Sequence, residues 1–258
     1  MAEEKDKKKQ SLSDSLRKKY GLNSFASMVD DPPLEVISSG SLTVDYCSGV
    51  GGLPLGMNCV MEGLPSSGKT EIALDACNSF LDLDPKNKVF YIDVENRLKK
   101  DRVSSRNIDL NRFDIGRCAI AEKVFDLMCD VIKAKEHGMI VVDSIAMLLS
   151  TADFDKDIED CTKPGTQGKA LNMGFRKLGA IMMEENSKCI NIFINQQMAA
   201  IGAKSWEPKV VAKSGFAPRF LSSFTLEIER LMGKERITHD STGIQVGNDI
   251  KISCRKNS

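Results

Sequence analysis

The stretch MNCVMEGLPSSGKTEIALDACNSFL, residues 57–81, places a glycine-rich loop between a short apolar run and a helical pattern. The run before the loop has the composition of a buried strand. The residues after it repeat apolar side chains at spacings of three and four, which predicts an amphipathic helix. The predicted inner face of that helix consists of Ile72, Ala73, Ala76, Cys77, Phe80 and Leu81.

The same alternation of strand and helix continues along the chain. Strand signals occur in VFYIDVE, MIVVDS, CINIFINQ, FTLEIERL and DIKISCR, and KALNMGFRKLGAIM has a helical period. This order predicts an α/β fold with a mostly parallel twisted sheet and helices on both faces. The predicted inner face of the second helix is formed by Leu171, Phe175, Leu178 and Met182.

The N-terminal part differs from this core. SLSDSLRKKYGLNSF predicts a short amphipathic helix that stops at Gly21, and DDPP then breaks the chain. We therefore predict an N-terminal tail and helix at 1–33 and an α/β core at 34–258.

The segment 63–70, GLPSSGKT, fits the pattern G-x-x-x-x-G-K-[ST] between a strand and a helix, which is typical of a nucleotide phosphate site. Gly63 and Gly68 let the backbone turn tightly, so that successive N–H groups face one anion at the positive end of the helix dipole. Lys69 is placed to reach the β- and γ-phosphates, and the Thr70 hydroxyl to bind Mg²⁺. The predicted loop contacts are Gly63, Pro65, Ser66, Ser67, Gly68, Lys69 and Thr70.

Polar residues follow three of the predicted strands, at the edge where open α/β sheets bind ligands. Asp143 can hold a magnesium-bound water opposite Thr70, or else cap the next helix. Glu95 can orient and deprotonate an attacking water, or else be a solvated acid at the strand end. The stretch INIFINQQM at 190–198 has amide side chains near its end, which suggests that this strand end binds polar groups of a ligand.

Composition narrows the class of protein. The chain has 258 residues, 41% apolar and 28% charged, with no net charge, which is ordinary for a soluble globule and gives no global basic field. No apolar run is long enough to span a bilayer and no secretion signal follows the charged start, so we expect no membrane association and a cytoplasmic location. Eight scattered cysteines predict reduced core thiols, and two distant histidines make a structural zinc site unlikely.

The order of motifs resembles the RecA family of homologous-recombination ATPases, the bacterial proteins more closely than their phage counterparts. The resemblance runs from about residue 20 to the end, through VISSGSLTVDYCSGVGGLPLG, GLPSSGKT, YIDVEN, MIVVDS, FRKL, IFINQ and GFAPRF. It implies a RecA-like P-loop ATPase core that uses ATP and Mg²⁺. It also implies a recombinase that forms helical homo-oligomeric filaments on single-stranded DNA and pairs it with homologous duplex DNA.

The resemblance also assigns roles at the phosphate site. Glu95 matches the family's catalytic glutamate, which acts with Lys69, and Gln196 matches its γ-phosphate sensor. An amide can report a phosphate by hydrogen bonds without adding charge beside it. For Asn195 and Gln197 we favour simple capping of the strand end.

Two long connections, at roughly 150–168 and 198–217, are candidates for DNA contacts. The second interleaves Lys204, Lys209 and Lys213 with Trp206 and Phe216, a mixture that suits backbone phosphates and stacked bases. By resemblance, Ile201 and Gly202 lie where the family wedges DNA apart, and Lys169 and Arg176 match residues that hold its backbone. Met198 and Ala200 depart from the family's basic residues, which implies reduced or rearranged DNA affinity.

The resemblance further predicts contacts between subunits. Phe25 matches the residue through which the family's N-terminal helix docks on a neighbour, and Arg219 and Phe220 resemble the coupling segment. Arg255 and Lys256 lie near the position of basic residues that reach a neighbour's γ-phosphate, and the spacing permits either. The adenine site departs from the family, with Lys99 and Arg102 in place of an aspartate and a tyrosine.

The chain ends at ISCRKNS, inside what resembles the penultimate part of the family core. We therefore expect the family's last strands and C-terminal domain to be missing, as in a fragment, a split or interrupted gene, or a shortened form. Two other functions stay open: a hexameric helicase-type motor, for which 33 leading residues leave little room, and a non-catalytic filament modulator.

Overall fold

The structure is a computed structural model. It describes residues 12–20, 33–157, 165–199, 210–215, 217–231, 236–238, 242 and 245–257.

The main sheet has the strand order β12-β9-β3-β7-β6-β4-β5, and β8 pairs with β7. Neighbouring strands from β9 to β5 run parallel, whereas β12 pairs antiparallel with β9 and β8 antiparallel with β7. Two small antiparallel ribbons, β1-β2 and β10-β11, lie outside this sheet. The strands are β1 Val36–Ile37, β2 Leu53–Pro54, β3 Asn58–Gly63, β4 Val89–Asp93, β5 Phe113–Gly116, β6 Met139–Asp143, β7 Ile190–Ala199, β8 Val210–Ala212, β9 Phe224–Arg230, β10 Arg236–Thr238, β11 Gln245–Asn248 and β12 Ile250–Asn257.

Within the described residues the longer helices connect successive parallel strands, as parallel pairing requires. The helices are α1 Leu12–Tyr20, α2 Leu42–Ser48, α3 Lys69–Leu83, α4 Lys100–Ser104, α5 Ala121–Ala134, α6 Thr151–Phe154, α7 Thr166–Glu184 and α8 Ala217–Leu221. None of them is long and apolar enough to cross a bilayer.

Two hydrophobic cores lie on opposite faces of the sheet. Alternate residues of the central strands enter each core, as the two-residue period of a strand requires. In β3, for example, Met61 packs with α3 in one core and Val60 packs with α5 and α7 in the other. Both predicted helix faces are buried, which confirms the helical periods in 71–81 and 169–182.

The predicted fold class is confirmed: the sheet is mostly parallel and helices cover both faces. All six strand signals named in the sequence form strands, and a short N-terminal helix is present at α1. The edge strand β5 was not predicted, because two of its four residues are exposed. The division at 33/34 stays a prediction.

Candidate functional site

The loop between β3 and α3 needs glycine at two positions. Gly68 has φ +92°, a left-handed conformation that side chains with a Cβ rarely adopt. At Gly63 a Cβ would lie 2.2 Å from the carbonyl oxygen of Ile228 on β9, so no larger residue fits. The loop is therefore pressed against the sheet and turns directly into the N-terminus of α3.

Lys69 lies folded into this loop and is only 6% exposed. Its Nζ donates hydrogen bonds to the carbonyl oxygens of Gly63 and Leu64, at 3.0 and 2.8 Å, and to Ser67 Oγ at 3.2 Å. Burial lowers the pKa of Lys69 to about 8, and the nearby charges of Asp143 and Glu95 oppose that shift. A bound phosphate would supply the negative charge that this ammonium group lacks among its three neutral acceptors.

Thr70 and Asp143 meet across the cavity. Thr70 Oγ1 and Tyr91 Oη each donate to Asp143 Oδ2 at 2.8 Å. Burial raises the pKa of Asp143 and these two hydrogen bonds oppose the shift. A hydroxyl and a carboxylate are hard oxygen ligands suited to Mg²⁺, so both residues fit the predicted metal role. Tyr91 was not predicted, since nothing in an apolar strand marks its hydroxyl as part of a site.

Glu95 is held by three side chains. Gln196 Nε2 donates to Glu95 Oε1 at 2.6 Å and Ser144 Oγ donates to the same oxygen at 3.0 Å. Arg97 forms an ion pair with Glu95 Oε2 at 3.3 Å. Ser144 and Arg97 were not predicted, although Ser144 directly follows Asp143 and Arg97 lies two residues after Glu95.

These side chains line one cavity of about 240 Å³ at the carboxyl ends of the parallel strands. The cavity brings together the predicted residues Pro65, Ser66, Ser67, Gly68, Lys69, Thr70, Glu95, Asp143 and Gln196. Gly63 contributes its carbonyl oxygen as a partner of Lys69. The glycine-rich loop with Lys69, the Thr70 hydroxyl, the carboxylates of Asp143 and Glu95 and the Gln196 amide therefore share one space.

Asn195 and Gln197 do not cap the end of β7, because the strand continues to Ala199. Both are buried and point away from Gln196, as alternate residues of a strand do. Asn195 Nδ2 donates to Glu62 Oε1 at 3.2 Å, and Gln197 Nε2 donates to Glu227 Oε1 at 2.9 Å. The prediction that these amides simply cap the strand end is thus wrong. They bind two buried carboxylates, one on β3 and one on β9.

A family model for the RecA N-terminal domain matches residues 8–258. The chain belongs to the RecA family.

Curated relatives support this assignment over most of the chain. The chain is 34% identical over 224 residues to protein RecA of Mycoplasma genitalium, which covers 87% of the chain and 63% of that relative. It is 31% identical over 259 residues to protein RecA of Chloroherpeton thalassium, covering 98% of the chain and 69% of the relative. The chain thus spans about two thirds of the length of these RecA proteins.

Two arginines that were predicted to contact a neighbouring subunit form ion pairs within this chain. Arg219 binds the buried Glu62, with Nε 2.6 Å and Nη2 2.5 Å from Oε2. Arg255 Nε lies 2.5 Å from Oε2 of Glu227, which is also nearly buried. Burial opposes ionisation of Glu227, but the hydrogen bonds from Gln197 and Arg255 outweigh it and hold its pKa below the usual value.

Of the other two predicted intersubunit residues in this region, Phe220 belongs to α8 and Lys256 contacts the end of that helix. Lys256 Nζ donates to the carbonyl oxygens of Arg219, Phe220 and Ser222, at 3.3, 3.0 and 2.6 Å, and so caps the C-terminus of that helix. Phe220 is 75% exposed. The intersubunit roles of all four residues stay predictions, as does that of Phe25, which lies outside the described residues.

Three of the predicted DNA-binding cations are described, and all are exposed. Lys169 and Arg176 lie two turns apart on α7, and Lys213 follows β8 in a turn. The backbone N–H of Lys213 donates to the carbonyl oxygen of Gln196 at 2.9 Å. The remaining predicted DNA contacts, Ile201, Gly202, Lys204 and Lys209, lie outside the described residues.

Proposed function

We propose that this RecA-family chain is a DNA-dependent ATPase that polymerises on single-stranded DNA and promotes homologous pairing and strand exchange. The observation that carries the proposal is the convergence of Lys69, Thr70, Asp143, Glu95 and Gln196 on one cavity. Together these groups meet four needs of phosphoryl transfer, since Lys69 would neutralise charge, Thr70 and Asp143 would hold the metal, Glu95 would activate water and Gln196 would sense the γ-phosphate.

In the proposed reaction Glu95 accepts the proton of the water that attacks the γ-phosphate. Ser144 donates to its Oε1, so the carboxylate keeps one fixed donor when the Gln196 amide turns to the phosphate. Lys69 leaves its backbone acceptors and binds the phosphate oxygens. Mg²⁺ held by Thr70 and Asp143 would neutralise charge on the transferred phosphoryl group.

Gln196 is proposed to link the nucleotide to DNA. Its amide binds the catalytic carboxylate, while its backbone carbonyl binds the N–H of Lys213 at the far end of the β7–β8 pair. A γ-phosphate that competes for the Gln196 side chain would therefore break the Gln196–Glu95 hydrogen bond. The backbone of the same residue is bonded to Lys213, so this change occurs directly at the β7–β8 strand pair. The nucleotide can thereby favour one arrangement of the segment between β7 and β8, because a ligand shifts an equilibrium only through contacts that differ between states.

The test compares the parent chain with Gln196→Ala in ATPase and DNA-affinity measurements, with electron micrographs of the same mixtures. We expect single-stranded DNA to stimulate the parent's ATPase and ATP to raise its DNA affinity. Gln196→Ala should bind ATP within a few fold of the parent yet have nearly equal DNA affinity with ATP and ADP. Asn111→Ala, an exposed amide outside the cavity, is the control.

Filaments without ATPase activity in the parent would support the non-catalytic filament modulator instead. Closed six-membered rings in the micrographs would support the helicase-type motor. A tenfold or larger ATP effect on DNA affinity in Gln196→Ala would contradict the sensor role.

A further inference from the structure

Tyr91 on β4 is a buried polar side chain to which the proposed chemistry assigns no role. None of its surface is exposed, and its ring packs in the core with its centroid 5.6 Å from that of Phe113. A phenylalanine would fill the same space without a buried hydroxyl that needs a hydrogen-bond partner. The contact made by the hydroxyl is therefore what distinguishes Tyr91 from an ordinary core residue.

The pairing of β4 with β6 brings this hydroxyl to Asp143. The two strands are parallel neighbours, and Tyr91 lies opposite Val141. Asp143 follows Val141 by two residues and so belongs to the same face of the sheet as Tyr91. Tyr91 Oη donates to Asp143 Oδ2 at 2.8 Å. A ring that is packed in the core thus presents its hydroxyl to a carboxylate of the cavity.

The two oxygens of Asp143 have different surroundings. Oδ2 accepts hydrogen bonds from Tyr91 Oη and from Thr70 Oγ1, each at 2.8 Å. A carboxylate oxygen has two lone pairs, so these two donors fill Oδ2. Oδ1 accepts no hydrogen bond from any residue that the structure describes, and Asp143 lines the cavity. Oδ1 is therefore the oxygen that remains for a water bound to a metal ion.

Thr70 alone would hold this carboxylate less firmly. The second side-chain torsion of an aspartate is broad, so a single hydrogen bond at one oxygen leaves the carboxylate plane free to turn. Thr70 is only half-buried, and its hydroxyl oxygen is also the predicted ligand of Mg²⁺. Tyr91 supplies a second donor from a different element, and its ring is held by the core.

We propose that Tyr91 is a positioning residue for the metal ion, whose hydroxyl fixes the carboxylate plane of Asp143 so that Oδ1 is presented to a water bound to Mg²⁺. This inference rests on the proposed nucleotide site. Groups that orient metal-binding side chains by hydrogen bonds change metal affinity by about 10- to 100-fold without touching the ion. Tyr91 therefore strengthens the binding of the nucleotide together with Mg²⁺ and contributes little to the binding of the nucleotide alone.

The test measures ADP binding to the whole chain by calorimetry, once with saturating Mg²⁺ and once with EDTA. In Tyr91→Phe the Kd of ADP with Mg²⁺ should rise by about tenfold or more. The Kd of ADP with EDTA should change by less than about twofold, because the hydroxyl acts on the metal-binding carboxylate and not on the phosphate loop. A tyrosine with only a packing role would change both constants equally or neither of them.

A double-mutant cycle measures whether Tyr91 acts through Asp143. Tyr91→Phe, Asp143→Ala and their combination are compared with the parent in ADP binding with Mg²⁺. In the Asp143→Ala chain, the addition of Tyr91→Phe should change the Kd by less than about twofold, since no carboxylate is left to position.

Two variants are matched controls. Thr225→Val removes a buried hydroxyl outside the cavity, and Tyr46→Phe removes an exposed tyrosine hydroxyl. Both should bind ADP as the parent does, with Mg²⁺ and with EDTA. Tyr91→Phe keeps the ring that fills the core, and thermal unfolding will verify that every variant is folded.

Equal losses of ADP affinity with Mg²⁺ and with EDTA in Tyr91→Phe would overturn the proposal, and so would an unchanged Kd with Mg²⁺. A full effect of Tyr91→Phe in the Asp143→Ala chain would overturn it as well, since Tyr91 would then act without Asp143. If the parent binds ADP neither with nor without Mg²⁺, the proposed ATPase function itself fails. If the parent binds ADP, that function is retained whatever the Tyr91 variants do.

Discussion

At the scale of single residues, the chemistry depends on how Glu95 is held. The carboxylate is 15% exposed and its Oε1 accepts two hydrogen bonds, so it can hold a water without moving far. Its other oxygen faces the guanidinium group of Arg97, whose side chain is 80% exposed. The carboxylate is thus held by two hydrogen bonds at one oxygen and by a single ion pair at the other.

We expect Glu95→Gln to bind ATP within a few fold of the parent and to hydrolyse it at least about 100-fold more slowly. The substitution keeps an oxygen that can accept from Gln196 and Ser144, so the cavity should retain its shape while the base is lost. Steady-state ATPase and calorimetric ATP binding measure the two effects. Glu136→Gln, exposed and outside the cavity, is the control; hydrolysis by Glu95→Gln at the parental rate would reject the assignment.

At the scale of elements, close packing of α7 on α5 positions the helix that carries Lys169 and Arg176. A Cβ on Gly174 would lie 2.1 Å from Cδ2 of Phe125, whose ring also packs against Phe175. The two helices approach closely because this position has no side chain. Gly179, later on the same helix, has open space at the corresponding point.

Gly174→Ala and Gly179→Ala should therefore have opposite effects. The first should lower the free energy of unfolding by about 1–3 kcal/mol, because a rigid aromatic ring must move. The second should raise it by up to about 1 kcal/mol, because alanine favours the helix. Urea unfolding of both variants measures these changes, and equal effects at the two positions would contradict the packing argument.

The buried acid at the end of β3 ties that strand to α8. Glu62 is fully buried and its partner Arg219 comes from a helix 157 residues later. Breaking a buried pair by removing one partner leaves an uncompensated charge.

Arg219→Ala should consequently lower the free energy of unfolding by about 3–5 kcal/mol. Glu62→Gln should cost less, because its amide oxygen still accepts from Asn195 and the partly exposed Arg219 can turn to solvent. Adding Glu62→Gln to Arg219→Ala should recover part of the loss, since no buried charge then remains. A double-mutant cycle by urea unfolding measures this coupling, and simple additivity would show that the pair is not coupled.

At the scale of the whole molecule, we predict that hydrolysis depends on assembly. ATPase activity per subunit should rise with protein concentration in the parent, because a cation from a neighbour completes the site. Arg255→Ala combined with Lys256→Ala should keep the activity low at all concentrations while filaments still form. Lys251→Ala, exposed on the same strand, is the control, and concentration-independent activity in the parent would reject the mechanism.

The features that could be predicted from the sequence are those that a local pattern encodes. The helix faces follow from periodicity, and the loop at 63–70 follows from glycines and a lysine at fixed spacing. The contacts of Tyr91 and Ser144 could not be predicted, because they depend on which strands are adjacent in the sheet. The role of Glu62 could not be predicted either. Its charge lies inside an apolar run and is balanced by Arg219, which no local spacing connects to it.

The pairing of Glu62 with Arg219 has a consequence for inheritance. A lineage that replaces Arg219 alone passes through a form with an unpaired buried charge at Glu62, and selection for folding acts against that form. Among close relatives Arg219 should therefore be replaced only together with Glu62 or after it, as an exchange of the whole ion pair for two uncharged side chains. Correlated substitutions at these two positions in related genes would therefore indicate the contact, although 157 residues separate its partners.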